Sequence, residues 1–109
     1  MPNSLHQLKA EFFKTLGHPA RIRILELLAE RDRSVGELLP GIGLEASNLS
    51  QQLGVLRRAG VVTATKEGNT VVYSIASPVI TELLAVARKA LTGLLSDQVA
   101  ILDDLRARR

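Results

Sequence analysis

Residues 34–60, Ser34-Val35-Gly36-Glu37-Leu38-Leu39-Pro40-Gly41-Ile42-Gly43-Leu44-Glu45-Ala46-Ser47-Asn48-Leu49-Ser50-Gln51-Gln52-Leu53-Gly54-Val55-Leu56-Arg57-Arg58-Ala59-Gly60, decide how this chain folds. Ser34 to Glu37 read as a capping box, in which the hydroxyl accepts an amide at a helix start and the carboxylate reaches back to it. Leu38 and Leu39 follow at once, and Pro40-Gly41-Ile42-Gly43 is expected to break this helix early. Ala46 to Ala59 predict a second helix with Leu49, Leu53 and Leu56 on one side, and Gly60 stands where a left-handed residue closes a helix. Two short helices joined by a glycine-containing turn make a helix-turn-helix.

Upstream, Leu5, Leu8, Phe12 and Leu16 recur at helical spacing, predicting a first helix over about 5–16 that Gly17 ends. Pro19 sits where proline is tolerated, at a helix start, and Ile22, Leu25 and Leu28 supply the stripe of a helix reaching about Glu30. Arg31-Asp32-Arg33 reads as its solvated exit. Downstream, Val61 to Ile75 change to a β-branched pattern broken at Glu67-Gly68-Asn69, which predicts two antiparallel strands and a tight hairpin. A hairpin directly after the second helix of such a motif is a wing. Ser77 and Pro78 open a last helix over about 77–107, whose apolar residues Leu84, Ala87, Leu91, Leu94, Val99, Leu102 and Leu105 run nearly to the end. Gly93 and Ser96-Asp97 mark where it could kink or split.

The fold class is therefore mainly α with a small β-hairpin wing: a winged helix-turn-helix of about five helices and two antiparallel strands. The 109 residues fit one domain, 1–109, and a domain of this size gains little from burial alone. The stripe on the last helix extends past what such a domain can cover. Together with the first helix it predicts a homodimer, with Leu5, Leu8, Phe12, Leu84, Leu91, Leu94 and Leu102 at the interface.

Composition narrows the function. Fourteen Lys and Arg against eleven Asp and Glu give a net charge of +3, a mild tilt toward a polyanion. With only two Phe, one Tyr and no Trp, a stacking platform for single strands is not available, which leaves duplex DNA. No cysteine is present, so disulfides and thiolate metal sites are excluded. The N-terminal residues have neither the cationic start nor the apolar run of a signal peptide, and no stretch approaches membrane-spanning length, so the expected location is the cytoplasm with no membrane partner.

On the fourth helix, Ser47, Gln51, Gly54 and Arg58 fall opposite the leucine stripe, with Asn48 and Ser50 on its flanks. Asn and Gln can address adenine edges, Ser a base or phosphate, and Arg a guanine or the backbone. The predicted DNA-binding residues are Ser47, Asn48, Ser50, Gln51, Gln52, Arg57 and Arg58, with Lys66 and Asn69 of the wing. For Arg21 and Arg23, phosphate contact and an ion-paired helix face are equally open. His6 and His18 are the only histidines, too few for a metal site, and His18 before Pro19 suits a cap. No nucleophile motif or phosphate loop is visible, so no enzyme and no cofactor are expected. A protein-interaction module on the same fold is the alternative, which the polar face with Arg57, Arg58 and Lys66 disfavours.

Three segments, Leu16-Gly17-His18-Pro19-Ala20-Arg21-Ile22-Arg23-Ile24-Leu25, Ser34-Val35-Gly36-Glu37-Leu38 and Asn48-Leu49-Ser50-Gln51-Gln52-Leu53 followed by Leu56 to Val62, resemble in order and spacing the signature segments of ArsR/SmtB repressors. The resemblance implies a dimer built from first and last helices, the fourth helix in the major groove of a near-palindromic operator, and repression relieved by a signal. The family's third-helix cysteine pair would fall at Ser34 and Gly36, and its last-helix metal ligands at Ser77, Val79, Ala90 and Gly93. None of these supplies a credible ligand, so control by metal is not expected. Gln52 stands where the family often has His, and Gly54 where it is frequently basic, so no operator sequence carries over.

Overall fold

The computed structural model describes residues 4–108; Met1 to Asn3 and Arg109, part of the expected domain and of the N-terminal reading, lie outside them. Its elements are α1 (Leu5–Leu16), α2 (Pro19–Glu30), β1 (Arg33–Ser34), α3 (Val35–Ile42), α4 (Ala46–Arg58), β2 (Val62–Glu67), β3 (Thr70–Ile75) and α5 (Pro78–Ala107). The winged helix-turn-helix is the one the periodicity predicts, with one strand more: β1 pairs antiparallel with β3, Arg33 opposite Tyr73 and Ser34 opposite Val72, in the sheet order β1-β3-β2.

Helix ends follow from their capping chemistry. Ser4 and Gln7 form a capping box on α1, Ser34 and Glu37 one on α3. His18 Nδ1 accepts from the Ala20 amide at 3.1 Å, satisfying an amide that would otherwise be orphaned at the start of α2. Pro40 does not stop α3. It lies inside the helix, which ends at Gly43 with φ 73°, the left-handed conformation that glycine adopts without a Cβ penalty. The single backbone bond that Pro40 forfeits would have gone to Gly36, which is exposed, so water can replace it. Gly60 closes α4 with φ 77°. In the hairpin Glu67 pairs with Thr70 across Gly68-Asn69, and only Gly68 has positive φ, as in a type II′ turn.

Arg33 is not part of a solvated exit. Its side chain is 12% exposed, its Nε donates to the Leu27 carbonyl at 3.0 Å, and it pairs with Glu30 at 2.8 Å. The guanidinium thereby satisfies a carbonyl in the last turn of α2. Arg31 pairs with Glu37 at 2.8 Å and, by that bond and the Ser34 amide, holds the Glu37 carboxyl down from 4.5 to about 2.

The core joins Leu16 of α1, Ile24, Leu25, Leu27 and Leu28 of α2, Leu38 of α3, Leu49, Leu53 and Leu56 of α4, Val61, Val62 and Ile80. It sits behind the helix-turn-helix and fixes α4 by three fully buried leucines. Truncating one to alanine would cost about 2–5 kcal/mol.

Neither Gly93 nor Ser96-Asp97 splits α5, which runs unbroken for 30 residues, about 45 Å. Past Leu84 every described residue of α5 is exposed, including Leu91, Leu94, Leu95 and Leu102. Of the residues expected at a dimer face, Leu5, Leu8, Leu91, Leu94 and Leu102 are exposed, whereas Phe12 and Leu84 pack against the subunit's own core. Phe13, edge-on to Phe12 at 5.6 Å between centroids, is the more exposed aromatic. No helix among the described residues is long and apolar enough to cross a membrane.

Candidate nucleic-acid interface

With Leu49, Leu53 and Leu56 at zero exposure, the orientation of α4 is set, and its opposite side is forced outward. Ser47, Asn48, Ser50 and Gln51 are exposed in its first two turns, and Arg57 and Arg58 at its last. The Arg57 cation at the helix C-terminus also offsets the negative end of the helix dipole. Beyond them the hairpin carries Lys66 and Asn69, both exposed, at its tip.

Gly54 does more than thin the helix. A Cβ there would lie 3.1 Å from Arg58 Nη1, so the guanidinium of Arg58 folds back across the space that glycine leaves. This places a positive charge over the middle of the polar face rather than at the helix end.

Gln52 differs from its neighbours. It is half-buried, its Oε1 accepts from Arg21 Nε at 2.9 Å, and its Nε2 donates to Asn48 Oδ1 at 3.3 Å. Arg21 also donates to the Thr15 carbonyl at 2.9 Å, so it is held between the end of α1 and α4 rather than presented to solvent. Arg23 donates to the Gly41 carbonyl at 3.4 Å and lies 3.8 Å from Glu26. The Arg21–Gln52 link spans 31 positions and has no periodic signature. Helical-wheel arithmetic does place Gln52 about 40° from Leu56, at the edge of the buried stripe.

Among the described residues, no three His, Cys, Asp or Glu side chains converge as metal ligands would. Ser34 and Ser77 both serve as helix caps: Ser34 Oγ accepts from the Glu37 amide and Ser77 Oγ from the Val79 amide, both at 3.3 Å.

The model of bacterial regulatory proteins of the arsR family matches residues 18–64, from the cap of α2 into the wing. The HTH-type transcriptional regulator Rv0081 of Mycobacterium tuberculosis is 75% identical over 104 residues, 94% of this chain and 91% of that protein. Its crystal structure superposes with a TM-score of 0.84 at 73% identity, covering 90% of this chain and 99% of that one. The biofilm growth-associated repressor of Agrobacterium fabrum is 45% identical over 67 residues, 62% of this chain and 57% of that protein. The homodimeric winged helix-turn-helix DNA-binding domain Mb0332 of Mycobacterium bovis, solved in solution, has a TM-score of 0.76 at 30% identity, covering 84% of each chain. Identity of this extent, carried on the same arrangement of helices and wing, means that the chain belongs to the ArsR family of bacterial transcriptional regulators.

Proposed function

We propose that this chain is a homodimeric, sequence-specific repressor that lays α4 of each subunit in the major groove of a near-palindromic duplex, with the wing against the adjacent backbone. The observation that carries this is the division of α4: three leucines wholly buried, and a polar, cationic face turned out beside an exposed Lys66. Ser47, Asn48, Ser50 and Gln51 are the base-edge candidates, Arg57, Arg58, Lys66 and Asn69 the phosphate contacts. Gln52 acts from behind this face.

Pairing of α1 and α5 across a two-fold axis is supported by the exposed leucines of α5 and by the apolar groove beside it, lined by Phe13, Leu16, Ile22, Leu83, Leu84 and Ala87. Repression is the role named for the biofilm growth-associated relative, and homodimerisation the state named for Mb0332. A cytoplasmic location follows from that role. The occupied caps at Ser34 and Ser77 support control by something other than a metal at the family's sites. The sequence further resembles a mycobacterial regulator associated with formate hydrogenlyase genes, which makes promoters of that kind the first targets to test. Purified protein incubated with fragments of the source genome should enrich a small set of promoter fragments; enrichment no different from random fragments would refute the reading.

A further inference from the structure

We propose that Arg21, acting through Gln52, fixes the polarity of the Asn48 amide, so that Asn48 leads into the groove with its nitrogen and selects a base presenting an acceptor. This rests on the DNA-reading role of α4.

Donor and acceptor chemistry alone fixes which way the two amides face. Arginine carries donors only, so the Gln52 atom 2.9 Å from Arg21 Nε has to be the oxygen. Arg21 cannot swing away easily, because its Nη1 is also bound to the Thr15 carbonyl at 2.9 Å. The other end of the Gln52 amide is then NH2, a donor, and the Asn48 atom it meets at 3.3 Å has to be Oδ1. Asn48 is exposed in the first turn of α4, the part of a reading helix that reaches base edges. A bidentate adenine contact needs oxygen and nitrogen facing one base edge together. With the oxygen turned to Gln52, Nδ2 is the atom left to enter the groove, where guanine N7 and O6, thymine O4 or adenine N7 can accept from it, whereas cytosine offers only a donor. Arg21 and Gln52 are thus positioning residues, and Asn48 the residue that meets the base.

Selection of bound sequences from a randomised duplex library by the full chain tests this. Asn48→Ala locates the position that Asn48 faces, as the one whose preference flattens. There the wild type should disfavour cytosine, the one base without a major-groove acceptor. Gln52→Glu keeps an acceptor for Arg21 but replaces the donor by a second acceptor, so the Asn48 amide should turn over and lead with Oδ1. Preference at that one position should then swing away from guanine and thymine, which present no donor, and toward cytosine, whose exocyclic amine donates, by roughly tenfold, the size of one good base contact. A merely structural Gln52 would weaken all sequences alike. The proposal is overturned if the wild type already favours cytosine there, if Gln52→Glu leaves that preference unchanged, or if Asn48→Ala flattens no position. The wild-type preference requires only Asn48→Ala to locate it, so it decides the matter even should Gln52→Glu fail to fold. Absence of any sequence enrichment by the wild type would instead remove the DNA-reading role itself.

Discussion

Replacing Leu91 and Leu94 together by alanine should dissociate the proposed homodimer while leaving each subunit folded. Leu91 is 58% and Leu94 59% exposed on the single subunit, so roughly three-fifths of each side chain remains to be covered by a partner. Leucine to alanine deletes three carbons at about 0.8 kcal/mol each when buried, and three-fifths of that is about 1.4 kcal/mol. A two-fold dimer carries four such side chains, hence about 5.5 kcal/mol if the interface buries them fully. At tenfold per 1.4 kcal/mol the dimer dissociation constant should rise by about ten-thousandfold. Both residues lie beyond the core, which α5 joins through Ile80, and alanine favours helix, so far-ultraviolet circular dichroism should be unchanged. Sedimentation equilibrium over a range of concentrations reads the constant directly. A value within threefold of the wild type would mean that this face is not the interface.

Gln51→Ala should weaken specific binding by about 1–3 kcal/mol per half-site and leave non-specific binding nearly unchanged, which competition between operator and random duplex measures. Lys66→Ala should weaken binding to all sequences and make the slope of log affinity against log salt shallower by about 1.8, one phosphate from each of two wings. Glu37, held at about 2 by Arg31 and the Ser34 amide, contributes stability that is fully present above its ordinary value of 4.5 and lost as the pH falls toward 2. In Glu37→Gln that part of the acid dependence should vanish from urea midpoints measured between those limits. Elemental analysis of purified protein should find no zinc near one per subunit, since Ser34 and Ser77 cap helices where ligands would stand.

Much of this architecture was legible because periodicity reports burial. The spacing of Leu49, Leu53 and Leu56 predicts both the helix and the side it hides, and with them the outward face of Ser47 and Gln51. Features set by geometry at a distance were not. A two-residue strand such as β1 is too short to carry an alternation, and it forms because β3 offers it an edge. Pro40 reads as a breaker, yet five residues into a helix it deprives only one exposed carbonyl. Gly93 costs about 1 kcal/mol, too little to interrupt a helix of 30 residues. By its type Gln52 reads as one of the DNA-facing residues. Its partner Arg21 lies on another helix, and nothing local to either residue signals the bond between them.

Whether α4 and the wing read a specific duplex is decided by the ratio of affinities for a selected operator and for random duplex of equal length at one fixed salt concentration. A ratio of about a thousandfold or more is expected, with two chains bound per operator. A ratio within a few fold of one, or a single chain saturating the site, would contradict it.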